Sequence, residues 1–289
     1  MSLNLIILRR LSYTRLLDFS YHILLATIIL EKERKKIREN KHLREIFHGP
    51  VVIGGVGGSG TRVVAEIMKE LGYYIGPLNK ANDNLEFAKL FGSPEWFKKN
   101  HRNNKQVIFK RLINFEESML TSLETNHSNS IGWGWKNPVT HIYIEFLAKY
   151  FKKIKYVLVI RNGLEMAYSS NQNQFYKWGD LYNIKPGTKA DPKSSLQYWF
   201  AANEKAIRLG QELFNHNFLV INFNDLCMNP EKEIRSLISF LELDQSKYNI
   251  DQLAKLIHPP HSLGRHKKRD LSSFTEGEFD LIRKLGFTI

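Results

Sequence analysis

Three short stretches of this sequence carry residue types that could bind anions or move a charged group. The first is Gly54-Gly55-Val56-Gly57-Gly58-Ser59-Gly60-Thr61-Arg62, in which five of the seven residues from 54 to 60 are glycine. Glycines let backbone amides curl around an anion, and a helix starting just after them adds its partial positive charge. A phosphate group fits such a loop. It departs from a triphosphatase loop, however: counting from Gly55, Gly60 is the second motif glycine, and Thr61 stands where that pattern requires lysine. The second stretch is Ile160-Arg161-Asn162-Gly163-Leu164-Glu165-Met166-Ala167-Tyr168-Ser169. An arginine leaving a buried strand can grip a phosphate with two parallel hydrogen bonds, and a serine eight residues on, in the next helix, can add another. The third is Trp135-Lys136-Asn137-Pro138, a lysine ahead of a proline-stiffened turn.

These stretches need a scaffold of strands that end in loops. Val51-Val52-Ile53 reads as a strand, followed by the glycine turn and an amphipathic helix from Thr61 to about Leu71. Ile154 to Ile160 is a continuous apolar run of the kind buried on both faces of a parallel sheet, and Phe218 to Phe223 reads as a third strand. Gln106 to Ile113 and the residues before Lys136 are expected to supply two further strands. Helices are expected over Val139–Phe151, Lys193–Phe214 and Pro230–Leu241, the last with Asn229 as N-cap and Pro230 at its first position. Strands alternating with helices predict an α/β fold of the P-loop type: three layers, with a mainly parallel central sheet flanked by helices.

The 289 residues divide into an N-terminal helical extension over 1–48 and an α/β domain over 49–289. The apolar fraction of 43% excludes a disordered or fibrous chain, and the net charge of +13 suggests an anionic partner. With Cys227 alone, a disulfide within the chain and a multi-thiolate zinc site are excluded, and no metal is expected. A reducing compartment, the cytoplasm, is expected. The apolar run from Phe19 to Leu30 is too short to span a bilayer. Peripheral membrane contact through residues 1–30, using Arg9, Arg10 and Arg15, is the alternative to helices packed on the main domain. The basic clusters Lys35-Lys36 and Arg265-His266-Lys267-Lys268-Arg269 sit in no nucleic-acid motif, so no nucleic-acid partner is expected.

Taken together, the glycine loop and the arginine strand make the chain resemble the sulfotransferase superfamily, whose donor is 3′-phosphoadenosine 5′-phosphosulfate. The matching elements are Ser59-Gly60-Thr61 and Arg161…Ser169, about 100 residues apart. Further matches are Lys136-Asn137-Pro138, Tyr198-Trp199 ahead of a long helix, Asn222-Phe223-Asn224-Asp225-Leu226 with Pro230, and Ser262-Leu263-Gly264-Arg265. The resemblance covers roughly residues 50 to 270. It implies that Gly57, Gly58, Ser59, Gly60, Thr61 and Arg62 hold the 5′-phosphosulfate, and that Arg161, Ser169, Gly264 and Arg265 hold the 3′-phosphate side. It further implies sulfuryl transfer to a hydroxyl or amine of a small-molecule or glycan acceptor, with no metal.

One departure concerns catalysis. The superfamily usually places Lys or Arg just before Ser-Gly-Thr, and here that position is Gly58. Lys136 is the expected substitute cation, with Arg62 as the alternative. For the general base the resemblance implies Glu86, with Asp83 in reserve, or else His141, five residues past Lys136. Phe175, Tyr176, Trp178 and Tyr182 are expected to line the acceptor cleft. A catalytically weakened nucleotide-binding relative and a P-loop kinase are the alternative readings.

Overall fold

The structure is a computed structural model and describes residues 48–289. The helices expected over residues 1–47, and the membrane contact proposed for 1–30, lie outside the described residues. Five strands form one sheet: β1 (His48–Gly54), β2 (Tyr73–Tyr74), β3 (Gly132–Lys136), β4 (Lys155–Ile160) and β5 (Phe218–Asn222). They are all parallel, in the order β2-β3-β1-β4-β5. The chain leaves β1 toward β2 and β3 on one side, whereas β4 continues to β5 on the other. The order therefore reverses between β1 and β4, and in such sheets ligands bind at the carboxyl ends of the strands beside the reversal.

Helices cover both faces. They are α1 (Thr61–Glu70), α2 (Leu85–Phe91), α3 (Pro94–Asn100), α4 (Lys105–Asn126), α5 (Ile144–Tyr150) and α6 (Gly163–Ala167). After these come α7 (Asn173–Trp178), α8 (Pro192–Phe214), α9 (Phe223–Met228), α10 (Pro230–Phe240), α11 (Ile250–Ala254) and α12 (Glu276–Lys284). Alternation along the strands splits the core. Val51, Ile53, Val157, Val159 and Ile221 pack with Val64, Ile67 and Met68 of α1 and with Ile234, Leu237 and Ile238 of α10. In β3, Trp135 packs against Phe87 of α2 and Phe115 of α4, with ring centres 5.6 and 4.9 Å away.

Three expectations need correction. Gln106 to Ile113 is not a strand but the first third of α4: Ile108, Leu112, Phe115, Met119 and Leu123 are buried at three- and four-residue intervals, a helical stripe that outweighs the local β-branched Val107-Ile108. Tyr198-Trp199 lies inside α8 rather than ahead of it, because Asp191 caps Ser194 N at 3.0 Å and Pro192 opens the helix earlier. Ser169 stands beyond α6, which ends at Ala167. Asn229 does occupy the N-cap of α10 with Pro230 following, but its side chain makes no capping bond.

Candidate functional site

The glycine loop follows β1 and feeds directly into α1. Gly60 is the N-cap, at φ 96°, and no side chain caps the helix, so its first-turn amides are left to the loop and to whatever the loop binds. Glycine is required at Gly60: the Phe223 ring occupies the place a β-carbon would take. Gly58 also has positive φ, 100°, and a β-carbon there would lie 3.3 Å from Met166 Cε. Ser59 is fully buried, its hydroxyl donating to Val56 O at 2.5 Å. The Gly57 amide donates to Gln174 Oε1 of α7 at 2.7 Å, so one loop amide already holds a neutral carbonyl oxygen.

Arg161 leaves β4 at the same end of the sheet and is buried. Its guanidinium meets the Glu165 carboxylate at 2.6 Å, and Nη2 donates to Ser262 Oγ at 3.2 Å. The Nη1 donors have no partner among the described residues, which leaves them for an anion. Glu165, also buried, accepts from Asn224 Nδ2 at 2.9 Å and from Gly264 N at 2.7 Å. The Arg161 guanidinium carbon lies 5.2 Å from the centre of the Phe223 ring. One aromatic side chain thus touches both anion-binding elements.

The C-terminal segment closes this side. Arg265 donates through Nε to Ser262 O at 3.1 Å, and its guanidinium is held below its ordinary pKa by burial first and by the neighbouring Arg161 charge second. His266 is buried with Nδ1 unbonded and 4.0 Å from Glu165 Oε1; burial lowers its pKa, against the pull of Glu165. Ser169 is not joined to this group by any hydrogen bond among the described residues; its hydroxyl accepts from Asn171 N at 3.2 Å.

Lys136 ends β3 beside Ile53 of β1, one residue before the glycine run. It is buried, and Nζ donates to Asp83 Oδ1 at 2.5 Å and to Ala81 O at 3.0 Å. Desolvation lowers its pKa, the Asp83 carboxylate opposes the shift, and the Arg62 charge adds a little to it. An ammonium has three donors, so one remains free. Arg62 is exposed on the first turn of α1. Asp83, spoken for by Lys136, is a poor base. Glu86 is half-buried on the first turn of α2, two residues past Asn84, whose amide donates to Lys136 O at 2.8 Å; its carboxylate has no partner among the described residues. His141 is buried in the turn after Lys136, with Nδ1 2.7 Å from Pro138 O and Nε2 unbonded. Burial lowers its pKa to about 4, outweighing the backbone of Pro138 and Gly55.

Of the four aromatic residues expected around the acceptor, Phe175 and Trp178 are core, Tyr176 is exposed, and Tyr182 is half-buried at the edge of a cleft. Sequence reasoning missed Glu165, Phe223 and Ser262 as site residues. The short spacing of Arg161 and Glu165, an arginine at a strand end and a glutamate in the helix that follows, was a readable signal for an ion pair; the other two are joined to the site only by the fold. Among the described residues no group of three His, Cys, Asp or Glu could hold a metal ion, and no helix is long and apolar enough to cross a membrane.

The fold is shared with known proteins. The sulfotransferase domain from the curacin biosynthetic pathway superposes with a TM-score of 0.52 at 13% identity, covering 84% of this chain and 99% of that one. Sulfotransferase STF1 from Mycobacterium tuberculosis gives a TM-score of 0.50 at 12% identity, covering 86% of this chain and 80% of that one. No curated protein sequence matches the chain. The model of the sulfotransferase family matches residues 50–247, from the third residue of β1 to a few residues past α10, and spans both anion-binding elements. The chain belongs to the sulfotransferase family.

Proposed function

We propose that the protein transfers a sulfuryl group from 3′-phosphoadenosine 5′-phosphosulfate to a hydroxyl or amine of its acceptor. The observation that carries the donor assignment is the shared Phe223 ring, which sets a glycine loop with uncapped helix amides and a buried arginine with free Nη1 donors at the same reversal of strand order. In this reading the amides of Gly58, Gly60 and Thr61 hold the 5′ end, joined by those of Gly57 and Ser59 once the anion displaces Gln174 Oε1 and Val56 O. Arg161, Ser262, Gly264 and Arg265 hold the 3′-phosphate, with Ser169 at the margin.

The acceptor oxygen or nitrogen bonds to sulfur as the bond from sulfur to the bridging phosphate oxygen breaks, the acceptor proton passes to a base, and 3′,5′-adenosine bisphosphate leaves. Such chemistry rests on positioning and on cations facing the transferring oxygens. Lys136 supplies that cation through its third N–H, and Asp83 aims it. Arg62 adds charge from the first turn of α1. Glu86, unpaired and two residues past the Asn84 amide that bonds the Lys136 carbonyl, takes the proton; His141, neutral at pH 7 but buried, is the reserve. The cytoplasm is the expected setting, on the strength of a single cysteine.

A second reading, a nucleotide-binding relative with weakened turnover, is favoured by Gly58 alone, since its positive φ and the Met166 contact leave no room for the usual lysine without adjustment. Titration with 3′,5′-adenosine bisphosphate tests what the two share. Binding is expected, and no binding to the wild-type chain would contradict both.

A further inference from the structure

We propose that a basic cleft in the helical layer, walled in part by the residue after His141, binds an acidic oligosaccharide, pyranose rings carrying carboxylate or sulfate groups, and that this is the acceptor class; the second clause rests on the sulfuryl-transfer reading above. The cleft has a volume of about 690 Å³, the size of a ligand of a few rings. It opens between the end of α3, the start of α4, α5, residues 180–185 and the middle of α8.

Its charge is one-sided. Lys98, Arg102, Lys105, Lys149, Lys185 and Lys205 line it, against the carboxylates of Glu145 and Asp180. Lys98 and Asp180 neutralise each other at 3.0 Å. Five cations therefore face one remaining carboxylate in a concave space, where low-dielectric walls concentrate the positive field. All five are exposed, so the core does not need them. Like charges gathered in one concave space favour an anionic occupant over a neutral one.

The aromatic lining narrows the class. Phe109 and Tyr182 are half-buried, with Lys205 Nζ 5.8 Å from the centre of the Tyr182 ring. Ring faces beside point charges suit a sugar ring that stacks while its acidic substituent meets a lysine. The cleft is built from helical side chains and turns and offers no strand edge, so an extended acidic peptide would lack main-chain pairing.

The cleft adjoins the site through one stretch of chain. Ile142 in its wall directly follows His141, whose buried side chain lies in the turn after Lys136.

The test is calorimetry on the full chain with a glucuronate-containing tetrasaccharide, uncharged cellotetraose, a poly-glutamate peptide and oligothymidylate. The double variant Lys149→Glu with Lys205→Glu is compared with wild type. The acidic tetrasaccharide is expected to bind more tightly than the other three and to weaken with salt. The double variant is expected to lose about tenfold or more of that affinity while its affinity for 3′,5′-adenosine bisphosphate stays unchanged. Equal binding of neutral and acidic sugars, no binding, no effect of the variant, or tighter binding of peptide or oligothymidylate would each overturn the proposal. If the tetrasaccharide binds as expected but the bisphosphate does not bind wild type, the donor reading fails and the cleft assignment stands without its acceptor role.

Discussion

The Phe223 ring lies where a β-carbon on Gly60 would have to go, so the glycine loop and the start of α9 are fitted to each other at one residue. Gly60 also has φ 96°, a conformation that costs an L residue about 1–3 kcal/mol. Gly60→Ala should therefore lower the unfolding midpoint and remove bisphosphate binding together. Pairing it with Phe223→Ala should recover part of the stability by making room, without recovering affinity, because the backbone strain remains. Full recovery of affinity would show that the loop does not need this geometry.

Arg161 and Glu165 are both buried, and removing one leaves the other charge without a partner. Arg161→Ala should destabilise the protein by about 3–5 kcal/mol, which would obscure any effect on binding. The double substitution Arg161→Met with Glu165→Leu removes both charges. It should restore part of the stability in urea unfolding, the rest being lost with the acceptor of Asn224 Nδ2 and Gly264 N, while bisphosphate affinity falls at least about tenfold, the worth of a charge-assisted hydrogen bond or two. Restored stability with wild-type affinity would take Arg161 out of the donor site.

Lys136→Ala should cut turnover about a hundredfold, the usual scale for losing a positioned electrostatic partner, with bisphosphate affinity within a few fold. Asp83, its ion-pair partner, is already 24% exposed and can be hydrated once released, so folding should survive. Glu86→Gln should depress turnover with little change in binding, as removal of a general base does. Equal losses of binding and rate for Lys136→Ala would make the lysine an ordinary phosphate ligand. Wild-type turnover for Glu86→Gln would pass the base role to His141.

His141 fixes part of the pH dependence of stability. Its pKa is lowered to about 4 in the folded chain against about 6.5 when unfolded, so below pH 6.5 the unfolded state binds the extra proton. Stability should therefore fall as the pH drops from about 6.5 to about 4, by about 3 kcal/mol from this residue, and then level off. His141→Asn should flatten that slope in urea-unfolding midpoints taken across the range. An unchanged slope would mean that the imidazole is hydrated in the native state.

Much of this was readable in the residues. The apolar run to Ile160 and the β-branched run before the glycine loop were readable as strands, and both lie inside the sheet as β4 and β1, whereas the similar run from Phe218 forms the half-buried edge strand β5. Arg161 and the loop stood out because phosphate chemistry demands their types. Gln106–Ile113 misled because Val and Ile favour strands locally, and only the longer stripe to Leu123 shows the helix. Glu165 was visible as a residue but not as a clamp, since its partners Asn224 and Gly264 come from 59 and 99 positions away. The basic cleft was beyond sequence reading for the same reason: its cations are scattered from Lys98 to Lys205, and only the helical layer gathers them.

The central claim is that one nucleotide spans the glycine loop and Arg161. The most direct measurement is calorimetric comparison of 3′,5′-adenosine bisphosphate with 5′-AMP, on wild type and on the Arg161→Met, Glu165→Leu variant. The 3′-phosphate is expected to strengthen wild-type binding by about tenfold or more, and this gain to vanish in the variant while 5′-AMP binds both alike. Equal affinity of the two nucleotides for wild type, or a gain that survives the loss of Arg161, would contradict it.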